Sequence, residues 1–343
     1  MTLADRLQHG WWRRGFTALT LALLPLTGVY AGVTRVRQGL YRLGALRSRK
    51  LPVPVVVVGN LIVGGAGKTP TVIALTRELA AAGWTPGVIS RGYGRSSDAI
   101  APVDASSDPA EVGDEPLLIH LRTGLPVTVG RDRVSAAAAL LARHPDVDVI
   151  VSDDGLQHLR LERDLQVLVF DERGAGNGWL LPSGPLRERL PSRLPARTLV
   201  LYNAAAPTTP LPGWPMQRAL AGAVALDDWW QGRPPALAVL HALRDRPVWA
   251  CAGMANPERF FAMLRAQGLT LHRVPLPDHH DYRSLPWPAD AGDVLVTEKD
   301  AVKLPPHRAA GVRVWVVALD LRLPAAFTAA VHRALPLPRR HDR

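Results

Sequence analysis

The stretch GNLIVGGAGKTP, Gly59 to Pro70, constrains this chain more than any other, because of what flanks it. Before it stands VVVVG, Val55 to Gly59, a short β-branched run with no polar alternation, which reads as a central parallel strand buried on both faces. After it comes a helix-like stretch from Thr69 to Ala82. A glycine-rich turn between such a strand and such a helix forms a phosphate cradle: the backbone of Gly64, Gly65, Ala66 and Gly67 turns its N–H groups toward an anion at the helix N-terminus. Lys68 would then reach the β- and γ-phosphates of a nucleotide, and the Thr69 hydroxyl would hold Mg²⁺. Pro70 suits the first helical turn, where an N–H has no intrahelical partner. One departure from the strict phosphate-loop pattern is Ile62, where that pattern has glycine.

The rest of the chain continues the alternation. Strand candidates follow at Gly87 to Ser90, near Val127, at Val147 to Asp154, at Gln166 to Phe170 and at Thr198 to Tyr202, with an alanine-rich helix from Val134 to Arg143. This pattern predicts an α/β fold of the P-loop NTPase type, a mostly parallel sheet with helices on both faces. From Ala205 to Arg246 proline, alanine and tryptophan dominate without period, as in APTTPLPGWP, which reads as a connection between lobes. A second αβ pattern starts at VWACAG and includes a helix from Pro257 to Gln267 and the strands DVLVT and VRVWVVAL. The expected organisation is therefore a membrane anchor and basic linker over 1–50, a P-loop core over 51–204, a connection over 205–246 and a smaller C-terminal α/β lobe over 247–343.

The 343 residues carry a formal charge of +11, and most of it sits at one end. Residues 1–50 hold nine basic side chains against the single acid Asp5. Between those arginines lie twenty uncharged residues, Gly15 to Thr34, preceded by Trp11 and Trp12. Such a stretch predicts an N-terminal membrane-associated helix, either spanning or lying in the interface, with the following domain kept cytoplasmic by the basic residues after it. A nucleic-acid-binding protein would instead spread its basic charge over a folded face with interleaved aromatics. The single cysteine, Cys251, excludes a disulfide framework and fits a reducing compartment.

Carboxylates complete the chemistry. VDVIVSDDG ends an apolar strand in Asp153 and Asp154, the place from which an acid beside the phosphate-loop strand binds Mg²⁺ directly or through water. Phosphoryl transfer to a hydroxyl also needs a group that takes the proton. Candidates are Asp114 and Glu115 in VGDEP, and His279 and His280 in PDHHDY.

Taken together and in order, VGNLIVGGAGKTP, SRGYGR, GDEP, SDDGLQH, LPSGPLRE, PDHHDY and VTEKD resemble the tetraacyldisaccharide 4′-kinases, and the resemblance covers nearly the whole chain. It implies a two-lobe, ATP- and Mg²⁺-dependent kinase at the cytoplasmic face of the inner membrane of a Gram-negative bacterium, acting on the 4′-hydroxyl of a tetraacylated glucosamine disaccharide 1-phosphate. By the same resemblance Asp114 is the catalytic acid–base residue with His279 as its partner, Lys68 serves catalysis, and Glu115 joins Thr69, Asp153 and Asp154 around the metal. Tyr93, Arg133, Gln157, His158, Arg187 and Glu188 fall at positions that serve substrate and site geometry. Ser183 stands where the family more usually has alanine. The alternative weighed against it is a membrane-bound P-loop ATPase that positions partner proteins; that class usually carries a second lysine where this chain has Val63. A GTPase would need the guanine-reading N-K-x-D order, which TEKD does not supply.

Overall fold

Val55–Gly59 does form a buried strand, β1, and the chain leaves it through the glycine loop directly into a helix. In the computed structural model, which describes residues 3–13, 15–254, 256–278, 280–309 and 311–338, three helices precede that strand: α1 (Leu3–Trp11), α2 (Ala18–Ala22) and α3 (Leu24–Arg42). After the loop come α4 (Lys68–Ala81), β2 (Pro86–Ser90), β3 (Ala101–Val103), α5 (Pro109–Val112), α6 (Asp114–Thr123) and β4 (Val127–Val129). The middle of the chain forms α7 (Arg133–Arg143), β5 (Val149–Asp153), β6 (Leu165–Asp171), β7 (Thr198–Asn203), β8 (Trp214–Pro215) and β9 (Gln217–Ala225). The remainder forms α8 (Leu226–Trp230), α9 (Leu237–His241), β10 (Val248–Gly253), α10 (Pro257–Ala266), β11 (Leu271–Leu276), β12 (Asp293–Thr297), α11 (Glu298–Ala301), β13 (Arg313–Arg322) and α12 (Ala325–Ala334).

These elements gather into two compact units, neither of them continuous in sequence. One comprises residues 1–91, 130–217 and 322–343, the other 92–129 and 218–321. In the first unit six strands run in the order β2-β5-β1-β6-β7-β8 with every neighbouring pair parallel. Val56, Val57 and Val58 of β1 are wholly buried between β5 and β6, each burial contributing about 1.5–3 kcal/mol. The connection after β1 leads to one side, to β2, and the one after β5 to the other, to β6. The carboxyl ends of β1 and β5 therefore flank the point where strand order reverses, which is where such sheets bind ligands. In the second unit a sheet ordered β11-β10-β12-β13-β9 has three parallel pairs at its heart, and β3 pairs antiparallel with β4. Leu240, Leu243, Phe260, Phe261 and Leu264 pack with β10 and β12 in that unit's core.

The α/β class with mostly parallel sheets agrees with expectation; other features differ. Residues 92–129 group with the second unit, and 322–343 return to the first, so the units do not follow the continuous boundaries read from composition. The segment expected as a connection over 205–246 holds β8, β9, α8 and α9. Its small residues Ala223 and Val224 are buried in β9, but alanine carries so weak a pattern that the strand is hidden in the sequence. The N-terminal stretch is also corrected: none of the described helices is long and apolar enough to cross a membrane. The uncharged run is split between α2, started by a Thr17–Thr20 capping box, and α3, started anew with Pro25 in its first turn. Proline there begins a helix readily but breaks a continuous one.

Candidate nucleotide site

The glycine loop owes its shape to two left-handed residues and three side-chain donors. Gly64 and Gly67 each take φ near +91°, which L side chains rarely adopt. The carbonyls of Gly64, Gly65 and Ala66 then each accept a hydrogen bond, from Asn60 Nδ2 at 2.9 Å, Arg173 Nη2 at 2.9 Å and Asn203 Nδ2 at 3.1 Å. Because a peptide unit is planar with its C=O and N–H opposed, holding these oxygens outward turns the following N–H groups away from them. Gly67 is the N-cap of α4 and has no side chain to cap its first turn, so the positive helix end stays available to an anion.

Lys68 opens α4 almost buried, with Nζ 3.3 Å from Asn60 Oδ1 and 3.3 Å from Asp154 Oδ2. Asp154 follows the last residue of β5 and has φ of 50°, a strained value for a residue with a side chain. Arg133 Nη2 holds its carbonyl at 3.1 Å, and Arg187 Nη1 lies 3.3 Å from both carboxylate oxygens. Burial works against the charged form of Asp154, yet Lys68 and then Arg187 outweigh it and hold this carboxyl below its ordinary pKa. Asp153 is buried at the end of β5, in register with Val58 of β1, and its Oδ2 accepts from Ser90 Oγ at 3.3 Å.

The remaining predicted residues of the first unit surround this core. Gln157 Nε2 donates to Glu188 Oε1 at 3.0 Å and Gln38 Nε2 to Glu188 Oε2 at 2.9 Å, so Glu188 is held by two amides. His158 lies 3.3 Å from Asp132; burial and then Arg133 lower its pKa, so the ring is neutral near pH 7. A cleft of about 640 Å³ runs along α3 past Thr34, Gln38, Tyr41, Leu161 and Leu168 and meets this group at Glu188.

Tyr93, Asp114 and Glu115 belong to the second unit. Tyr93 is largely exposed. Asp114 and Glu115 start α6 behind Gly113, whose φ of +94° and close approach to the Gly92 backbone leave no room for a side chain. Asp114 Oδ2 lies 3.8 Å from Lys303 Nζ, and Glu115 Oε1 4.0 Å from Lys299 Nζ. Lys303 is also 3.8 Å from Asp300, a fully buried acid that accepts from Gly253 N and, at 2.6 Å, from Thr297 Oγ1. His279 lies outside the described residues.

The sequence reading passed over Asn60, Ser90, Arg173, Asn203 and the lysine pair Lys299 and Lys303. A signal existed for most of them: in parallel strands all carboxyl ends share one rim, so the first polar residue after each apolar run belongs there. The donor set of Thr69, Asp153 and Asp154 is made of hard oxygens, which suits Mg²⁺ held by one or two carboxylates and the phosphates of its nucleotide. Among the described residues no three His, Cys, Asp or Glu side chains gather to hold an ion by themselves.

Known proteins resemble this arrangement closely. The family model described as tetraacyldisaccharide-1-P 4′-kinase matches residues 19–336. The tetraacyldisaccharide 4′-kinase of Methylibium petroleiphilum is 58% identical over 341 residues, covering 97% of this chain and 95% of the relative. That of Leptothrix cholodnii is 53% identical, covering 98% and 97%. The crystal structure of LpxK from Aquifex aeolicus, described as a complex with ATP, superposes with a TM-score of 0.77 at 28% identity, covering 93% of this chain and all of that one.

Proposed function

The chain belongs to the tetraacyldisaccharide-1-P 4′-kinase family, and from that premise we propose that it transfers the γ-phosphate of ATP to the 4′-hydroxyl of a tetraacylated glucosamine disaccharide 1-phosphate. The observation that carries this reading is the glycine loop between β1 and α4, whose outward-held carbonyls and Lys68–Asp154 pair make a site for a triphosphate. Lys68 meets the charge of the transferring phosphoryl group, a role for which its present partner Asp154 holds it in place. Thr69, Asp153 and Asp154 would hold Mg²⁺, and Glu115 is the further acid that the family resemblance assigns to it. The ion supplies neutralisation of the phosphate oxygens when bound.

Asp114, with His279, takes the proton of the sugar hydroxyl in this reading. Arg133, Gln157, His158, Arg187, Glu188 and Tyr93 serve the phosphorylated sugar acceptor, arginine being the side chain best matched to a phosphate.

The acceptor's acyl chains place the reaction at a membrane surface. Leu26, Val29, Val33, Val36 and Leu40 form an exposed apolar stripe along α3, opposite the inward-facing Thr27 and Ala31. Arg37 flanks the stripe, while Arg35 and Arg42 of the same helix line the cleft; an apolar stripe on a helix rich in arginine suits one lying in the interface of the inner membrane on its cytoplasmic face. The test is transfer of label from [γ-³²P]ATP to a lipid disaccharide 1-phosphate. Lys68→Ala and Asp114→Ala are each expected to lower it by about 10²-fold or more. Label released only as free phosphate, or undiminished transfer in both variants, would reject the proposal.

A further inference from the structure

Arg173 ties the glycine loop to the extreme N-terminal segment. It follows β6, where Asp171 is the last strand residue, and its guanidinium forks onto that acid: Nε to Oδ2 at 2.9 Å and Nη2 to Oδ2 at 2.7 Å. The second hydrogen of Nη2 reaches Gly65 O at 2.9 Å. The guanidinium Cζ lies over the Trp12 ring, 4.3 Å from the centroid. Trp12 is itself fixed, since its neighbour Trp11 donates from Nε1 to Pro182 O at 2.9 Å and accepts at its carbonyl from Asn177 N at 2.8 Å. One planar cation thus meets an acid, a loop carbonyl and an aromatic face together, which a lysine's compact ammonium cannot reproduce.

The peptide it holds is the one most in need of it. Gly65 has no Cβ, and a Cβ built there would meet nothing within 4 Å, so local packing does not set this peptide's orientation. Asn60 and Asn203 hold the peptides on either side, and Arg173 holds this one from outside the loop. If the peptide flips, its carbonyl turns toward the phosphates and the Ala66 N–H turns away from them.

We propose that Arg173 is a positioning residue of the phosphate loop, and that through it Trp12 makes the N-terminal segment part of the nucleotide site. This rests on the kinase reading, since the loop must take ATP for the positioning to matter. Direct measurement of ATP binding to the full-length, detergent-solubilised protein separates the two. Arg173→Ala is expected to weaken ATP binding ~10-fold or more, as loss of a charge-assisted hydrogen bond implies. KM for ATP should rise in step and kcat fall less. Arg173→Lys should recover only part of the affinity, and Asp171→Asn, which keeps the arginine but loosens its fork, should fall between. Trp12→Ala should weaken ATP binding in the wild-type background but add nothing in the Arg173→Ala background. An ATP affinity within twofold of wild type in a folded Arg173→Ala protein overturns the proposal, as does a Trp12→Ala effect of equal size in both backgrounds. Wild-type protein that binds no ATP overturns this proposal together with the kinase reading.

Discussion

At the scale of single residues, Asp154 has the most interactions to reconcile: a left-handed backbone, two cations on its carboxylate and a third on its carbonyl. Its pKa lies below the ordinary value, so the stability it gives is fully present above the unfolded carboxyl's pKa and is lost as pH falls through the folded one. Arg187→Ala leaves Lys68 as the remaining cation on the carboxylate. The acid-unfolding midpoint followed by circular dichroism should then move to higher pH, and Arg187→Lys should move it less; coincident midpoints for all three proteins would count against this account. Much of this was legible in the sequence, where Lys68, Asp153 and Asp154 stand at the ends of apolar runs in a known spacing. Asn60 and Asn203 were legible only as polar residues ending apolar runs, and Arg173 not at all, because what they do is set by strand register: they approach the loop only once β1, β6 and β7 lie side by side. A carbonyl held from behind leaves no trace in the composition of the loop it shapes.

At the scale of elements, the segment before β1 shows how hydropathy misleads when helix breaks are ignored. Twenty uncharged residues suggested one membrane-associated helix, but the break between α2 and α3 leaves two shorter ones and turns an apolar stripe outward. Replacing Val33 with Glu places a charge in the middle of that stripe. Loss of about 1.5 kcal/mol of apolar burial corresponds to roughly tenfold weaker partitioning. Sedimentation with anionic phospholipid vesicles should show at least that loss, with ATP binding unchanged; full retention on vesicles would argue that α3 does not meet lipid. Strands behave differently from this helix. The runs Val55–Gly59 and Val149–Asp153 were unmistakable, whereas β9 (QRALAGAVA) and β11 (LHRVPL) were missed because alanine, glycine and an edge proline blur the alternation that marks a strand.

At the scale of the whole molecule, compact units and sequence segments do not coincide. The C-terminal helix α12 belongs with the phosphate-loop sheet, where Phe327 is fully buried and its ring meets Trp214 edge-on at 5.8 Å. Phe327→Ala should cost about 3–5 kcal/mol by denaturant unfolding, although it lies far in sequence from Lys68; a loss below about 1 kcal/mol would show α12 to be a loosely attached tail. The return of residues 322–343 to the first unit also orders events at the ribosome. Residues 1–91 of the nucleotide-binding unit are translated before any of the other unit, and residues 322–343, which pack with them, only after all of it. The second unit, whose last segment ends at Leu321, has the earlier opportunity to close, so a polypeptide halted just short of α12 would carry the acid-bearing unit complete and the nucleotide unit still without that helix.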